Sequence, residues 1–345
     1  MYAFTPRFNK TFMCAAIAAL AMGIAGCNDD DAPNTAPTAS AGTAQSVTTG
    51  TVITFDGSAS SDLNGDALTY TWSIVSAPAG STATITNASS AKPTFAPDFP
   101  GAYVAKVVVS DGKASSEATV NVTAADVLGF DAIPTPFPAN FASYSLEGQG
   151  ITAIGDHVML KADSPKTLGS FSVGLSSYAC QTGTYVSGCA STPGSTFTAP
   201  ITVRIFNNSG TLLATKTQTV TMPYRPAIDP TCPIPGAPNY QYRAANGNCY
   251  SGVVFMATID LHSLKAAVPS SFYYDVQYNT ASAGPTPTGV AGPIDAVNVG
   301  VLDSPPAAPT TGTDPKPNLI RYDGADDTDL TDLYIVPARF NMIAP

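Results

Sequence analysis

Apolar residues in this chain recur at every second position over short runs, and Gly, Pro, Asn and Asp break those runs. In Leu68–Ile74, Leu68, Tyr70, Trp72 and Ile74 fall on one face of an extended strand. Tyr103, Val107 and Val109 do the same before a stop at Asp111-Gly112, and Val52, Thr54 and Asp56 alternate with Ile53 and Phe55. Ala118–Val122 reads as one more strand. Further along, strands are expected over Phe171–Leu175, Ile201–Ile205, Thr215–Thr221, Val253–Ile259 and Phe272–Tyr278. Asn207-Asn208-Ser209-Gly210 supplies a hairpin turn after Ile205. A helical turn is expected only near Leu261–Ala267, ended by Pro269. Glu occurs only at 117 and 147, which removes a strong helix former and leaves Thr and Val, residues that suit strands. The fold class is therefore all-β: a first sandwich followed by a larger, jelly-roll-like β-sandwich.

The N-terminus sets the expected compartment. Arg7 and Lys10 precede an apolar run from Phe12 to Gly26, too short for a stable bilayer-spanning helix, with small residues before a cleavage point. Ile24-Ala25-Gly26-Cys27 resembles a bacterial lipobox. That resemblance implies removal of residues 1–26 and acylation of Cys27, with 27–35 as a polar tether. The expected location is then the bacterial cell envelope, the outer membrane being the favoured side. Each buried acyl methylene would add about 0.8 kcal/mol to the anchor. Losing Arg7 and Lys10 with the signal takes the net charge from −10 to −12. So acidic a body argues against nucleic acid and against an electrostatic hold on anionic lipid. An exported chain meets an oxidising compartment, so Cys180, Cys189, Cys232 and Cys249 are expected as disulfides. Of the three pairings, Cys180–Cys189 with Cys232–Cys249 closes the shortest loops. With His157 and His262 the only histidines and no Cys-x-x-Cys, zinc is disfavoured.

Four stretches stand together in the first domain, expected over residues 36–124. They are Phe55–Asp62, Gly65–Trp72, Gly101-Ala102-Tyr103 and Val107–Gly112. They resemble the polycystic-kidney-disease (PKD) domain, an immunoglobulin-like β-sandwich. The chain departs from that pattern after the tryptophan, where Ser73–Pro78 replaces the usual Asp-Phe-Gly-Asp-Gly. The resemblance implies a spacer or presenting role rather than catalysis. Asp62, Asn64 and Asp66 place oxygens at alternate positions, as a calcium loop would, although such a run also makes an ordinary Asx turn. No other cofactor is expected.

The second domain, expected over 127–345, more weakly resembles uncharacterised secreted bacterial β-sandwich proteins. Ser176–Gln181, Pro193–Phe197, Pro200-Ile201-Thr202, Tyr278-Asn279-Thr280 and Asp295–Gly300 carry that likeness. Its most distinctive segment runs from Pro223 to Tyr250 and holds six prolines and one expected disulfide. Long loops in compact domains are often functional. Tyr224, Arg225, Tyr240, Tyr242 and Arg243 are the candidate ligand-binding residues, since aromatic faces stack and guanidinium groups make directed hydrogen bonds. The same tyrosines could instead pack the loop onto the sandwich. Asp323, Asp326, Asp327, Asp329 and Asp332 read as a solvated acidic face, with calcium as the sharper alternative. Ser304–Pro317 reads as loop.

No Gly-x-Ser-x-Gly, His-Glu-x-x-His or phosphate-cradling loop occurs. His157 beside Asp156 is the better of two poor candidates for a base, but both are read at a turn before the strand at Val158, and His262 beside Asp260 at a surface turn. The leading expectation is thus a lipid-anchored envelope protein in which a PKD-like spacer presents a β-sandwich that binds polysaccharide or a surface protein. A hydrolase working through two of the 23 aspartates and a purely structural lipoprotein are the alternatives.

Overall fold

The computed structural model describes residues 33–139, 142–144, 153–184, 187–232, 241–278, 297–302, 309–315, 318–322, 327–333 and 336–345. Cys27, Tyr240, Asp323 and Asp326 lie outside these residues, as does everything read into the export segment. Nearly all regular structure is strand; the helical turn expected near Leu261 is a single 3-10 turn, His262–Leu264.

The first sandwich has a four-stranded sheet in the order Gln45–Thr48, Ser115–Ala125, Gly101–Ser110, Thr69–Ser76. The first pair is parallel and the others antiparallel. Ile53–Thr54, Thr94–Phe95 and Ile85–Thr86 form a smaller sheet. The two-residue period decides which side chains go inside: along Gly101–Ser110, Tyr103, Ala105, Val107 and Val109 are fully buried while their neighbours are not. Trp72 stacks on Phe55 at 5.2 Å between centroids, and its indole N–H donates to the Ser90 carbonyl at 3.1 Å. Each such buried ring adds roughly 1.5–3 kcal/mol.

The second body is built from two larger antiparallel sheets. One runs Leu212–Pro223, Thr196–Phe206, Ser271–Tyr278, Ala153–Met159, Asn318–Tyr322, Asp327–Leu333. The other runs Val127–Asp131, Ala338–Ile343, Thr167–Ser177, Val297–Val301, Ala142–Tyr144, with Val253–Asp260 also paired to Thr167–Ser177. Phe171, Phe272, Tyr274 and Phe340 meet at its centre, with Phe340 lying 4.8 Å from Phe171 and 5.1 Å from Phe272. Arg204 reaches along the first sheet to a two-pronged contact with the buried Asp275.

The hairpin turn forms as expected: the Gly210 amide donates to Asn207 O at 3.0 Å, and Asn207 Oδ1 takes the amides of Ser209 and Thr211. Asp156 and His157 do not sit at a turn. They lie inside the strand Ala153–Met159, both buried, and that strand has neighbours on both sides. His157 instead stacks on Tyr273 and meets Ser271 Oγ at 2.7 Å. Asp327, Asp329 and Asp332 lie on an edge strand.

One residue, Asp126, separates the strand Ser115–Ala125 from Val127–Asp131, so the two bodies are joined with almost no slack. They are also docked. The Ala344 amide donates to Thr49 O at 2.8 Å, across the junction. The next residue, Gly50, has φ +88°, and a Cβ there would overlap the Ala344 carbonyl oxygen. Phe99 of the first body stacks on His262 of the second at 4.9 Å. The Tyr103 hydroxyl fixes the loop that carries Phe99, donating to Phe99 O at 2.9 Å and accepting from the Phe99 amide at 3.0 Å. His262, expected at a surface turn, is buried because the first domain covers it.

Candidate functional site

Of the segment Pro223–Tyr250, residues 223–232 and 241–250 are described, and a disulfide staples them. Both expected disulfides form, Cys180–Cys189 and Cys232–Cys249. The chain entering the loop is tied to the first of them: the Arg225 amide donates to Ala179 O at 2.9 Å and the Ile228 amide to Cys189 O at 3.3 Å. The loop returns through the two-residue ladder Tyr242–Arg243 with Cys249–Tyr250, closed by a turn at Ala244–Gly247.

Tyr240 lies outside the described residues, and the other four candidate residues do not form one surface. Tyr224 packs on Phe197 at 4.9 Å, so it belongs to the core's margin. Arg225 is fully buried and Tyr242 nearly so, the guanidinium lying 5.7 Å from the ring centroid and the Tyr242 hydroxyl donating to Gly252 O at 3.3 Å. Burial pushes the Tyr242 phenol above its ordinary value, with Arg225 opposing. These two hold the loop to the sandwich rather than facing solvent. A guanidinium spread over an aromatic face is less costly to bury than a compact ammonium, which suits arginine to this place.

Arg243 does face solvent, and it is fixed from three sides: Asp229 Oδ2 at 3.1 Å, Gly247 O at 2.7 Å, and Thr231 through its carbonyl at 3.0 Å and hydroxyl at 2.9 Å. The Thr231 hydroxyl and amide lower the Asp229 carboxyl, with Arg243 adding to them. Beside Arg243, the Tyr250 hydroxyl accepts from Asn246 Nδ2 at 3.0 Å and Asn248 Nδ2 at 3.3 Å, which lowers its pKa. The exposed tip therefore offers Arg243, Asn246, Asn248 and Tyr250 on a disulfide-closed turn. Amides, a guanidinium and a half-exposed phenol ring suit hydrogen bonding and stacking to a hydroxyl-rich ligand. Asn246 and Asn248 were not singled out in the sequence. Their signal is the Asn-Gly-Asn run next to the cysteine, which local composition alone does not separate from a turn.

In the first domain, one oxygen of each candidate calcium residue is engaged, while Asp62 Oδ2 is buried without a hydrogen-bond partner. Asp62 Oδ1 accepts from the amides of Asn64 at 2.9 Å and Asp66 at 3.1 Å; Asn64 Oδ1 accepts from the Thr35 amide at 2.9 Å; Asp66 pairs with Lys113 at 3.4 Å. Among the described residues no three or more His, Cys, Asp or Glu side chains cluster to hold a metal.

A different acidic feature sits inside the second sandwich. Asp156 is buried beside Asp314, its oxygens taking the amides of His157 at 2.7 Å and Val336 at 3.1 Å. Burial first, then Asp314, raises the Asp156 carboxyl well above its ordinary value. The Tyr274 phenol is raised too, by burial first and then by Asp156 and Asp314. The pair was missed because Asp156 was read as part of a turn.

No curated protein matches the chain. Among solved structures, it is similar to a nucleoside hydrolase-related hypothetical protein from Saccharophagus degradans associated with carbohydrate metabolism, at 21% identity and a TM-score of 0.25, covering 27% of this chain and 26% of that one. It thus spans about a quarter of that protein. The PKD domain from KIAA 1837 protein is 28% identical at a TM-score of 0.23, covering 27% of this chain and 90% of that one. A structure of carbohydrate-binding modules from the β-sandwich superfamily is 14% identical at a TM-score of 0.22, covering 72% of this chain and 92% of that one. TM-scores this low carry no functional argument. The family match is more specific: residues 41–124 fit the model of the K319L-like PKD domain, so the first domain of this chain is PKD-like.

Proposed function

We propose that the chain is a lipid-anchored protein of the bacterial cell envelope, in which the PKD-like domain holds the stapled β-sandwich away from the membrane to bind polysaccharide. One observation supports this reading: Asn34-Thr35, the described end of the expected tether, and the junction with the second body lie at opposite ends of the strand Ser115–Ala125. At one pole Asn34 Nδ2 donates to Asp111 at 2.9 Å and the Thr35 amide to Asn64, next to the hairpin that starts Ser115–Ala125. At the other, the same strand ends at Ala125, beside Thr49 and the junction. A strand of 11 residues spans roughly 35 Å, which is the reach the domain adds between Cys27 and the binding body. The polar tip at Arg243, Asn246, Asn248 and Tyr250 supports a hydroxyl-rich ligand, and the net charge of −10 disfavours an acidic one.

Metabolic labelling with an alkyne fatty acid tests the anchor. Label should enter the wild-type chain and be lost in Cys27→Ser, with the wild type in the membrane fraction. Equal labelling of both chains, or none of either with the protein released from membranes, would refute the anchored reading.

A further inference from the structure

His262 is held by groups from three places. Its Nδ1 meets Asp260 Oδ1 of its own turn at 2.6 Å. Its Nε2 meets both oxygens of Asp126, the single linker residue, at 3.2 and 3.1 Å. Its ring stacks on Phe99 of the first domain. Asp126 is nearly buried, its side chain 9% exposed, as is His262 at 5%. Among the described residues, the remaining charged side chains lining the crevice around the ring are Lys265 and Asp98, the latter bonded to Ser81 and Thr82, and Pro345 also lines it. Gln218, on the other side, is neutral and accepts from the Asp260 amide.

Carboxylates only accept, whereas a neutral imidazole has one donor and one lone pair. A neutral His262 can therefore satisfy one of its two aspartates and must point a lone pair at the other. Both contacts are favourable only when both ring nitrogens carry protons. We propose that His262 is a proton-dependent clasp between the two domains: protonated, it ties the linker Asp126 to Asp260 and locks Phe99 against the second domain; neutral, it releases Asp126 and lets the domains move about residue 126.

The direction of the pH effect follows. Burial on its own would lower the His262 pKa, but the hydrogen bonds the ring donates to Asp126 and Asp260 outweigh it, and the value rises above the ordinary 6.5. A group whose pKa is raised by docking strengthens docking fully below 6.5 and loses that effect as pH rises through the docked value. The clasp closes as pH falls and opens as pH rises through the docked value, above 6.5.

Hydrogen exchange of the full chain, with its disulfides intact, reads this directly. The probe is the Ala344 amide, which donates across the junction. After division by the intrinsic rate, its protection should fall as pH rises from about 5.5 to about 8.5, beyond any change shared by the sandwich core. Amides of the central strand Thr167–Ser177 should keep theirs. His262→Gln should abolish the pH dependence. Should that variant fold poorly, Asp126→Asn should move the fall to lower pH by leaving the ring one carboxylate. His157→Gln, the control for the other histidine, should leave the fall in place. Constant protection across the range in the native chain, or a fall that persists in His262→Gln or vanishes in His157→Gln, would overturn the proposal.

Discussion

A methyl group at position 50 should separate the cost of a left-handed backbone from the cost of breaking the domain junction. Gly50 and Gly65 have nearly equal φ, +88° and +78°, so alanine at either is strained by about 1–2 kcal/mol. Their surroundings differ. A Cβ at Gly65 meets nothing within 4 Å, whereas one at Gly50 lands on the Ala344 carbonyl oxygen, and backbone must shift to relieve it. That shift breaks the Ala344–Thr49 hydrogen bond, which contributes about 1 kcal/mol. Trp72, the only tryptophan, lies in the first domain's core, so its fluorescence follows that domain's melting. For a domain of this size, about 1 kcal/mol moves the midpoint by roughly 4–8 °C. Gly50→Ala should therefore melt about that much below Gly65→Ala, and it alone should strip exchange protection from the Ala344 amide. Equal midpoints with the Ala344 amide protected in both would show that the junction is not packed as described.

Phe171→Ala removes a fully buried ring from contact with Tyr274 and Phe340 and should cost about 3–5 kcal/mol by denaturant unfolding, with the Trp72 signal moving far less because the two cores share no residue. Replacing Cys232 and Cys249 together by Ala opens a disulfide with a sequence separation of 17 and should cost about 3 kcal/mol in a thermal melt, leaving the Cys180–Cys189 bond in place by mass spectrometry. The Asp56 carboxyl should titrate at about 2 by carbon NMR, below the ordinary 3.8, chiefly through the Ser58 hydroxyl and amide and then Lys92 at 3.0 Å. Its contribution to stability is thus present above 3.8 and lost as pH falls through about 2; a larger upward shift in Lys92→Ala than in Ser58→Ala would contradict that order of causes.

Strand faces were legible in the sequence because the two-residue period is local: Tyr103, Val107 and Val109 are inside as the alternation requires. The disulfide pairing was legible because loop closure favours near neighbours and both loops are short. What the sequence hid are relations between distant segments. Asp156 and His157 resemble a polar turn until two neighbouring strands enclose them. Likewise Arg225 and Tyr242 resemble an exposed recognition pair, and only the route of the loop over Ala179 and Gly252 turns them inward. The contact of His262 with Asp126 spans 136 residues, and no local pattern encodes it.

The account rests on display of a binding surface, and a retention assay tests that most directly. The chain, in detergent, would be passed over immobilised neutral and acidic polysaccharides, with calcium and with chelator, beside a variant carrying Asn246→Ala, Asn248→Ala and Tyr250→Ala. Retention on a neutral polymer, unchanged by chelator, without release of reducing sugar and lost in the folded triple variant, is the predicted result. Passage of the native chain through every polymer, or retention that the triple variant keeps, would contradict the proposal that this tip recognises polysaccharide.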